Sequence, residues 1–334
     1  MNAKRSIIPI FVPHLGCPND CVFCDQRKIS GSLTQPTAET VRSIVSEALT
    51  KIPAGGEIQP SFYGGSFTAI PPEKQLELLG AALPFLRSGA VSSLRVSTRP
   101  DAIDSEVLAR LKQFGVKTIE LGAQSMCDEV LELSGRGHSA AQVAEASKMV
   151  KAAGFELILQ MMTGLPGDTK ARTIKTAEQL IALAPAGVRI YPTVIIENTK
   201  LCQMWRAGTY AEHTVEQAVD RCAAVLPMFE AAKIPIIRLG LNPTEELSHG
   251  AALGGAYHPA LGELVRSRVF LEKARALLKD ASPGERLTLG VNPSEVSIMI
   301  GQHRENVLTL CRELGLKDLS VRKAAVERGS ILLL

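Results

Sequence analysis

Apolar positions along the first two thirds of the chain follow two alternating periods. Short runs that are apolar throughout, or at every second residue, predict strands: IIPIFV at 7–12, IQPSFY at 58–63, LRVST at 94–98, KTIELG at 117–122, FELILQMM at 155–162 and GVRIYP at 187–192. Between them lie longer stretches with apolar residues three and four apart, which predict helices over 36–52, 71–88, 105–115, 140–154, 169–183 and 215–232. Punctuation agrees with these bounds. Thr37 stands as an N-cap before the first helix, prolines open the second, and Gly115 and Gly154 close the next two. Six strand-then-helix units imply a parallel sheet with right-handed crossovers. Six is fewer than the eight that close a barrel. The expected fold is therefore α/β, a partial (β/α)6 TIM-type barrel over residues 1–235, with a doubly wound open sheet as the alternative that periodicity leaves open.

After residue 236 the pattern changes. The stretch to 260 is rich in glycine and proline and reads as irregular, followed by a helix over 261–280 with basic residues on its polar side. The last fifty residues predict a strand (RLTLGV), a second strand (EVSIMIG), a helix (RENVLTLCRELG) and two strands (LSVRKA, SILLL). Residues 236–334 are thus expected as an extension carrying a small α+β module.

Composition adds boundaries rather than identity. Hydrophobic residues make up 46% and charged residues 21%, the balance of a globular protein with a sizeable core. No window approaches the roughly 18 uninterrupted apolar residues of a membrane span, and the N-terminus lacks a secretory pattern. A net charge of +3 neither marks nor excludes a nucleic-acid binder. Of seven cysteines, Cys127, Cys202, Cys222 and Cys311 are scattered singly, which is no disulfide framework and suits a reducing, cytoplasmic setting.

The other three cysteines carry chemistry. PHLGCPNDCVFCDQRKISG, residues 13–31, places Cys17, Cys21 and Cys24 in a C-x3-C-x2-C spacing, in the loop after the first strand. Loops after strands build the active face of such barrels. Three thiolates suit an iron–sulfur cluster with one iron left open. The alternative is a structural zinc that takes His14 as its fourth ligand.

CPNDCVFC resembles the cluster loop of the radical S-adenosylmethionine (SAM) superfamily. The resemblance implies a four-iron (4Fe-4S) cluster held by Cys17, Cys21 and Cys24, with SAM on the open iron. It implies reductive cleavage of SAM to methionine and a 5'-deoxyadenosyl radical, and a flavodoxin- or ferredoxin-type electron donor. Phe23 would lie beside the adenine, or else pack in the core. YGGSFT (63–68) resembles the family's glycine motif, so that the backbone at Gly64 and Gly65 would reach the SAM amino group.

STRPD (97–101), LGAQS (121–125), SGRGH (134–138) and LQMMTGLPGDT (159–169) resemble the catalytic subunit of Elongator, and more loosely the oxygen-independent coproporphyrinogen oxidases. That resemblance places Ser97, Gln124, Arg136 and Gln160 near the methionine and ribose of SAM, with Arg136 as the carboxylate partner. Singly, each also reads as an ordinary strand-end or surface residue. The segment 189–210 extends the similarity and sets Tyr191 at the barrel mouth, or as an ordinary strand-end tyrosine.

The resemblance spans residues 5 to 240, without the acetyltransferase domain that follows in Elongator. It implies a radical SAM enzyme acting on RNA, with tRNA as the expected partner. A small-metabolite substrate, or a noncatalytic RNA-binding protein with a structural metal loop, is the alternative. In the last module, Gln302, His303, Arg304 and Asn306 open a helix, and Arg322, Lys323 and Arg328 would add a basic face. The GXXG loop of a KH domain is absent there, and RNA contact and a purely structural role both stay open.

Overall fold

A computed structural model describes residues 5–12, 17, 20–25, 34–53, 55–241 and 250–334. All six expected strands are present: β1 (Arg5–Val12), β2 (Glu57–Gly64), β3 (Leu94–Thr98), β4 (Val116–Gln124), β5 (Glu156–Thr163) and β6 (Gly187–Pro192). The connecting helices are α1 (Ala38–Lys51), α2 (Pro72–Arg87), α3 (Ser105–Gln113), a short α4 (Asp128–Leu133), α5 (Ala140–Ala152) and α6 (Lys170–Ala182). Thr37 caps α1 as expected, accepting from the Thr40 amide, while Asp104, Ser139 and Thr169 cap α3, α5 and α6. Next come β7 (Val194–Ile196), α7 (Lys200–Arg206), α8 (Val215–Ala231), β8 (Ile236–Leu239) and β9 (Ala252–Gly255).

Strands β1 to β6 and β8 form one parallel sheet in chain order, and its outer strands β1 and β8 do not pair with each other among the described residues. The seventh strand is short, and it lies past residue 235 in the stretch expected to be irregular. Only four residues long and half-buried, it gives little periodic signal. β7 pairs with β9, which does come from the irregular stretch, as a small antiparallel ribbon.

The two faces of the sheet differ in chemistry. The face toward the helices is apolar, with Ile10, Phe62, Val96, Leu121, Leu159 and Ile190 fully buried. The other face carries Tyr63, Arg95, Ser97, Glu120, Gln160 and Arg189, alternating with that set as the strand period requires. Arg189 of β6 donates to the Tyr63 hydroxyl of β2 at 3.1 Å. In a flat sheet these strands would lie about 19 Å apart, four spacings of roughly 4.8 Å. The contact therefore requires the sheet to curl, and the polar face is the inside of a half-barrel.

Glu120 is the centre of that interior. Its carboxylate meets Arg95 Nη1 at 2.5 Å and Arg189 Nε at 2.9 Å, and the Tyr63 hydroxyl donates to it at 3.1 Å. Arg95 also donates to Gln59 Oε1 at 2.7 Å. Burial, with Glu120 next, pushes Tyr63 up to about 12, so the phenol stays a donor.

Helix α9 (Leu261–Leu277) links two cores. Leu261 and Val265 pack on the barrel, while Phe270, Leu271 and Ala274 belong to a second core with Leu289 and Leu319. That module contains β10 (Arg286–Val291), α10 (Val296–Ile300), α11 (Glu305–Leu314), β11 (Asp318–Lys323) and β12 (Ile331–Leu333), in sheet order β11-β10-β12. The EVSIMIG segment, expected as a strand, is the short helix α10. Its β-branched run is too brief for periodicity to separate the two states. The turn before it decides, where the Ser294 amide donates to Asn292 Oδ1 and starts a helical turn.

Candidate active site

The C-terminal ends of β1 to β5 converge above the polar interior, and the cysteine loop lies among them. Cys21 is buried and Cys17 exposed, and the Cys24 amide donates to the Cys21 carbonyl. The loop is fastened on both sides: the Val22 amide donates to Ser134 O at 3.1 Å, and the Leu201 amide donates to Val22 O at 2.7 Å. Gly135, with φ of 64°, makes the first fastening feasible, since a Cβ there would come within 3.3 Å of Asp20 O. His14 lies outside the described residues.

Cations and amides face the thiols. Arg136 Nη1 donates to Cys21 Sγ at 3.2 Å, and its Nη2 donates to Gly122 O at 2.8 Å. The Ser66 backbone hydrogen-bonds Cys17. Cys17 is exposed as a residue, but partial burial of its sulfur and the neighbouring Cys21 push the thiol up, against the pull of Arg99 and Arg136. Arg99 is itself buried, grips Asp101 through Nε and Nη2 at 2.9 and 3.0 Å, and donates to the Arg136 carbonyl. Its Nη1 is buried with no hydrogen-bond partner among the described residues.

The other predicted residues fall at the same face. Gly64 ends β2 and Gly65 follows it, its amide donating to Val12 O at 2.7 Å; a Cβ on Gly64 would stand 3.0 Å from the Val12 backbone. Ser97 points inward on β3, in register with Glu120. Gln124 has φ of 64° at a register shift in β4, a bulge that aims its amide across to Gln160 Nε2 at 3.1 Å. Gly122 lies beside them, and a Cβ there would meet Gln124 Nε2 at 2.9 Å and Arg136 Nη2 at 3.3 Å.

Phe23 sits apart from this group. It packs with Val22, Leu201 and Trp205 in a separate apolar cluster. Tyr191 accepts from Arg189 Nη1 at 3.3 Å, within the interior network.

Ser66, Arg99 and Gly122 belong to this face but were not singled out by the sequence. Each lies within a motif already quoted, two residues or fewer from a predicted one. What hid them was the fold, which decides which motif residue turns toward the thiols.

These residues fit an iron–sulfur cluster with SAM. Three soft thiolates supply the ligand type, Gly122 leaves space a side chain would fill, and Arg99 Nη1 offers an unspent charged donor for a carboxylate. Among the described residues no three His, Cys, Asp or Glu side chains stand grouped as metal ligands.

Beyond β5, His213 lies against Gly164, where a Cβ would collide with the imidazole at 2.1 Å. His213 Nε2 and Thr163 Oγ1 share a 3.2 Å hydrogen bond. Burial, then Arg221, pushes His213 down to about 4 from the ordinary 6.5. Burial and Arg136 do the same to His138. The folded chain thus holds fewer protons than the unfolded one between those pH values. The stability these groups contribute is intact above pH 6.5 and is lost as pH falls toward 4, by about 3 kcal/mol for each. Urea unfolding across that range should show the loss, and His213→Asn should remove about half of it; a parent whose stability stays flat from pH 6.5 to 4.5 would contradict this.

Comparison with known proteins agrees with this architecture. Residues 11–180 match the Radical SAM superfamily and residues 185–270 match the Radical SAM C-terminal domain. The chain belongs to the radical SAM superfamily and is an enzyme of that class. It is 32% identical over 209 residues to an uncharacterized protein of Methanocaldococcus jannaschii, covering 59% of this chain and 63% of that one. A tRNA uridine(34) acetyltransferase of Methanocaldococcus infernus is 30% identical over 131 residues, 38% of this chain and 24% of that protein. The chain therefore spans less than two thirds of the length of either relative. In structure it is similar to the archaeal Elp3 of Methanocaldococcus infernus with an N-terminus deletion, with a TM-score of 0.61 at 21% identity, over 82% of this chain and 64% of that one.

Proposed function

We propose that the chain uses Cys17, Cys21 and Cys24 to hold a 4Fe-4S cluster, binds SAM beside it and cleaves SAM reductively to modify RNA, with tRNA as the substrate class. The observation that carries the chemistry is the meeting of the cysteine loop with Ser66, Arg99, Gly122 and Arg136 at the ends of adjacent parallel strands. When bound, the cluster supplies one electron to SAM, yielding methionine and a 5'-deoxyadenosyl radical.

The chain's own groups bind and orient. Carbonyls of the Gly64–Gly65 run accept from the SAM amino group. Arg99 Nη1 and Arg136 are the cations available to its carboxylate, and Gln124, Gln160 and Ser97 offer hydrogen bonds to the ribose side. Arg136 also donates to Cys21 Sγ and so helps orient that ligand. Phe23, packed in its own cluster, reads here as support for the loop. The reducing electron donor is of flavodoxin or ferredoxin type, and the setting is cytoplasmic. No helix among the described residues is long and apolar enough to cross a membrane.

The RNA part draws on the similarity to a relative whose name specifies a tRNA uridine. It is tested by comparing tRNA nucleosides from deletion and parent strains by mass spectrometry. One modified nucleoside should disappear and its precursor rise by a like amount, with recovery on complementation. An unchanged profile counts against RNA and returns the small-metabolite substrate.

A further inference from the structure

Residues 286–334 lie beyond both family matches and take no part in the site above. Here β10, α10, the turn Gly301–Arg304, α11 and β11 make a strand-helix-turn-helix-strand unit. Its two strands lie side by side and parallel, with β12 antiparallel on the other side of β10. In KH modules, a Gly-X-X-Gly turn between two such helices clamps the backbone of about four nucleotides. The turn in this chain is Gly301-Gln302-His303-Arg304. Arg304 adopts a left-handed φ of 64°, so a cation takes the place of the second glycine. The turn is held firmly: buried Asn306 donates from Nδ2 to Ser267 O, Ser267 Oγ and Met299 O at 2.9–3.0 Å. That fastens the start of α11 to α9 and α10.

The fold brings further cations to the same end. α11 runs ten residues, about 15 Å, and β11 packs back along it after Gly315 for six residues, roughly 20 Å. Arg322 and Lys323, at the end of β11, therefore return level with the turn. The Asn292 Nδ2 bond to Val326 O and the Gly329 amide bond to Glu295 Oε2 tie the next loop, with Arg328, to that end too. His303, Arg304, Arg322, Lys323 and Arg328 are all exposed. The module's ion pairs, Arg275 with Glu272 and Glu313, engage the far end of α11. Four cations face three acids, Glu295, Glu305 and Glu327, which leaves the end net positive. Leu308, one helical turn beyond Arg304, is 53% exposed.

We propose that this module binds single-stranded RNA between the Gly301–Arg304 turn and the outer edge of β11. Phosphates lie on the turn and its cations, and a base rests on Leu308. The inference rests on the RNA reading above for the choice of nucleic acid. It adds a second point of grip, separate from the barrel mouth.

Fluorescence anisotropy on the full chain, with a labelled unstructured RNA of about 12 nucleotides, tests it between about 50 and 200 mM salt. Three to four phosphate contacts give a log–log salt slope of about −2 to −3. Gln302→Asp with His303→Asp should weaken binding at least about tenfold, as should Arg322→Glu with Lys323→Glu. Lys148→Glu on α5, exposed on the barrel, should leave affinity within about twofold. Circular dichroism and melting temperature show whether the variants fold.

The proposal is overturned if the parent fails to bind this RNA, prefers a duplex, or if folded variants bind as tightly as the parent. The assay measures no modification, so the two readings fail separately. RNA binding with an unchanged nucleoside profile sinks the modification reading alone. A lost nucleoside without turn-dependent binding sinks this one alone.

Discussion

Cys21→Ala, reconstituted anaerobically with iron and sulfide, should hold well under one iron per chain where the parent holds about four. It should release no 5'-deoxyadenosine on reduction with SAM. Three thiolates are the full set the loop offers, and two leave two irons without a protein ligand. The fold should survive, because Cys21 is outside the barrel core and Arg136 keeps its bond to Gly122 O when its sulfur acceptor goes. Losing one partly compensated hydrogen bond costs about 1 kcal/mol, a melting shift of a few degrees for a chain this long. Cys222→Ala is the matching control. That thiol is fully buried in the barrel core, and burial pushes it up to about 12. Its loss should lower stability and leave iron content and SAM cleavage unchanged. Zinc in the parent by metal analysis, or cluster-type absorption retained in Cys21→Ala, would defeat the cluster reading.

The half-barrel was legible because parallel strands write themselves as compact apolar runs between capped amphipathic helices. IIPIFV, FELILQMM and GVRIYP each fell on an observed strand, and Thr37 proved to be a cap. The failures share a cause. IIRL, which became β8, and EVSIMI, which became α10, are too short for a period to declare itself, so tertiary pairing decides them. The cysteine loop was legible because its ligands are local, packed within eight residues. Arg99 was not, because its meaning comes from the Arg136 carbonyl, a contact made only once β3 and β4 stand side by side. Glu120 did leave a trace: a carboxylate in the middle of KTIELG must find a cation or distort the strand. Which cations it finds, Arg95 one strand away and Arg189 two, is a property of the curl.

That carboxylate sets the second large effect. Glu120→Ala should destabilise the chain by about 3–5 kcal/mol, since it leaves Arg95 and Arg189 charged, buried and unopposed. The Arg95 side chain is 1% exposed and that of Glu120 3%, so water cannot take over the pairing. Arg189, at 12%, is nearer the mouth and can turn toward solvent, which puts most of the cost on Arg95. Two further variants separate charge from packing. Glu120→Gln keeps an acceptor for Tyr63 and should recover only a minor part. Glu120→Leu combined with Arg95→Met removes both members of the tightest pair and should regain a good share of the lost stability, because a buried ion pair exchanged for apolar volume is often neutral. Urea midpoints measure all three. If Glu120→Ala stays within about 1 kcal/mol of the parent, the interior network is wetter than its burial implies. If the double variant is no better than Glu120→Ala, Arg189 rather than Arg95 carries the penalty. In either outcome the polar lining matters beyond stability, because Arg189 bridges Tyr63 and Tyr191 directly beneath the face where the thiols lie. Loosening it should raise the SAM concentration needed for half-maximal cleavage even in protein that remains folded.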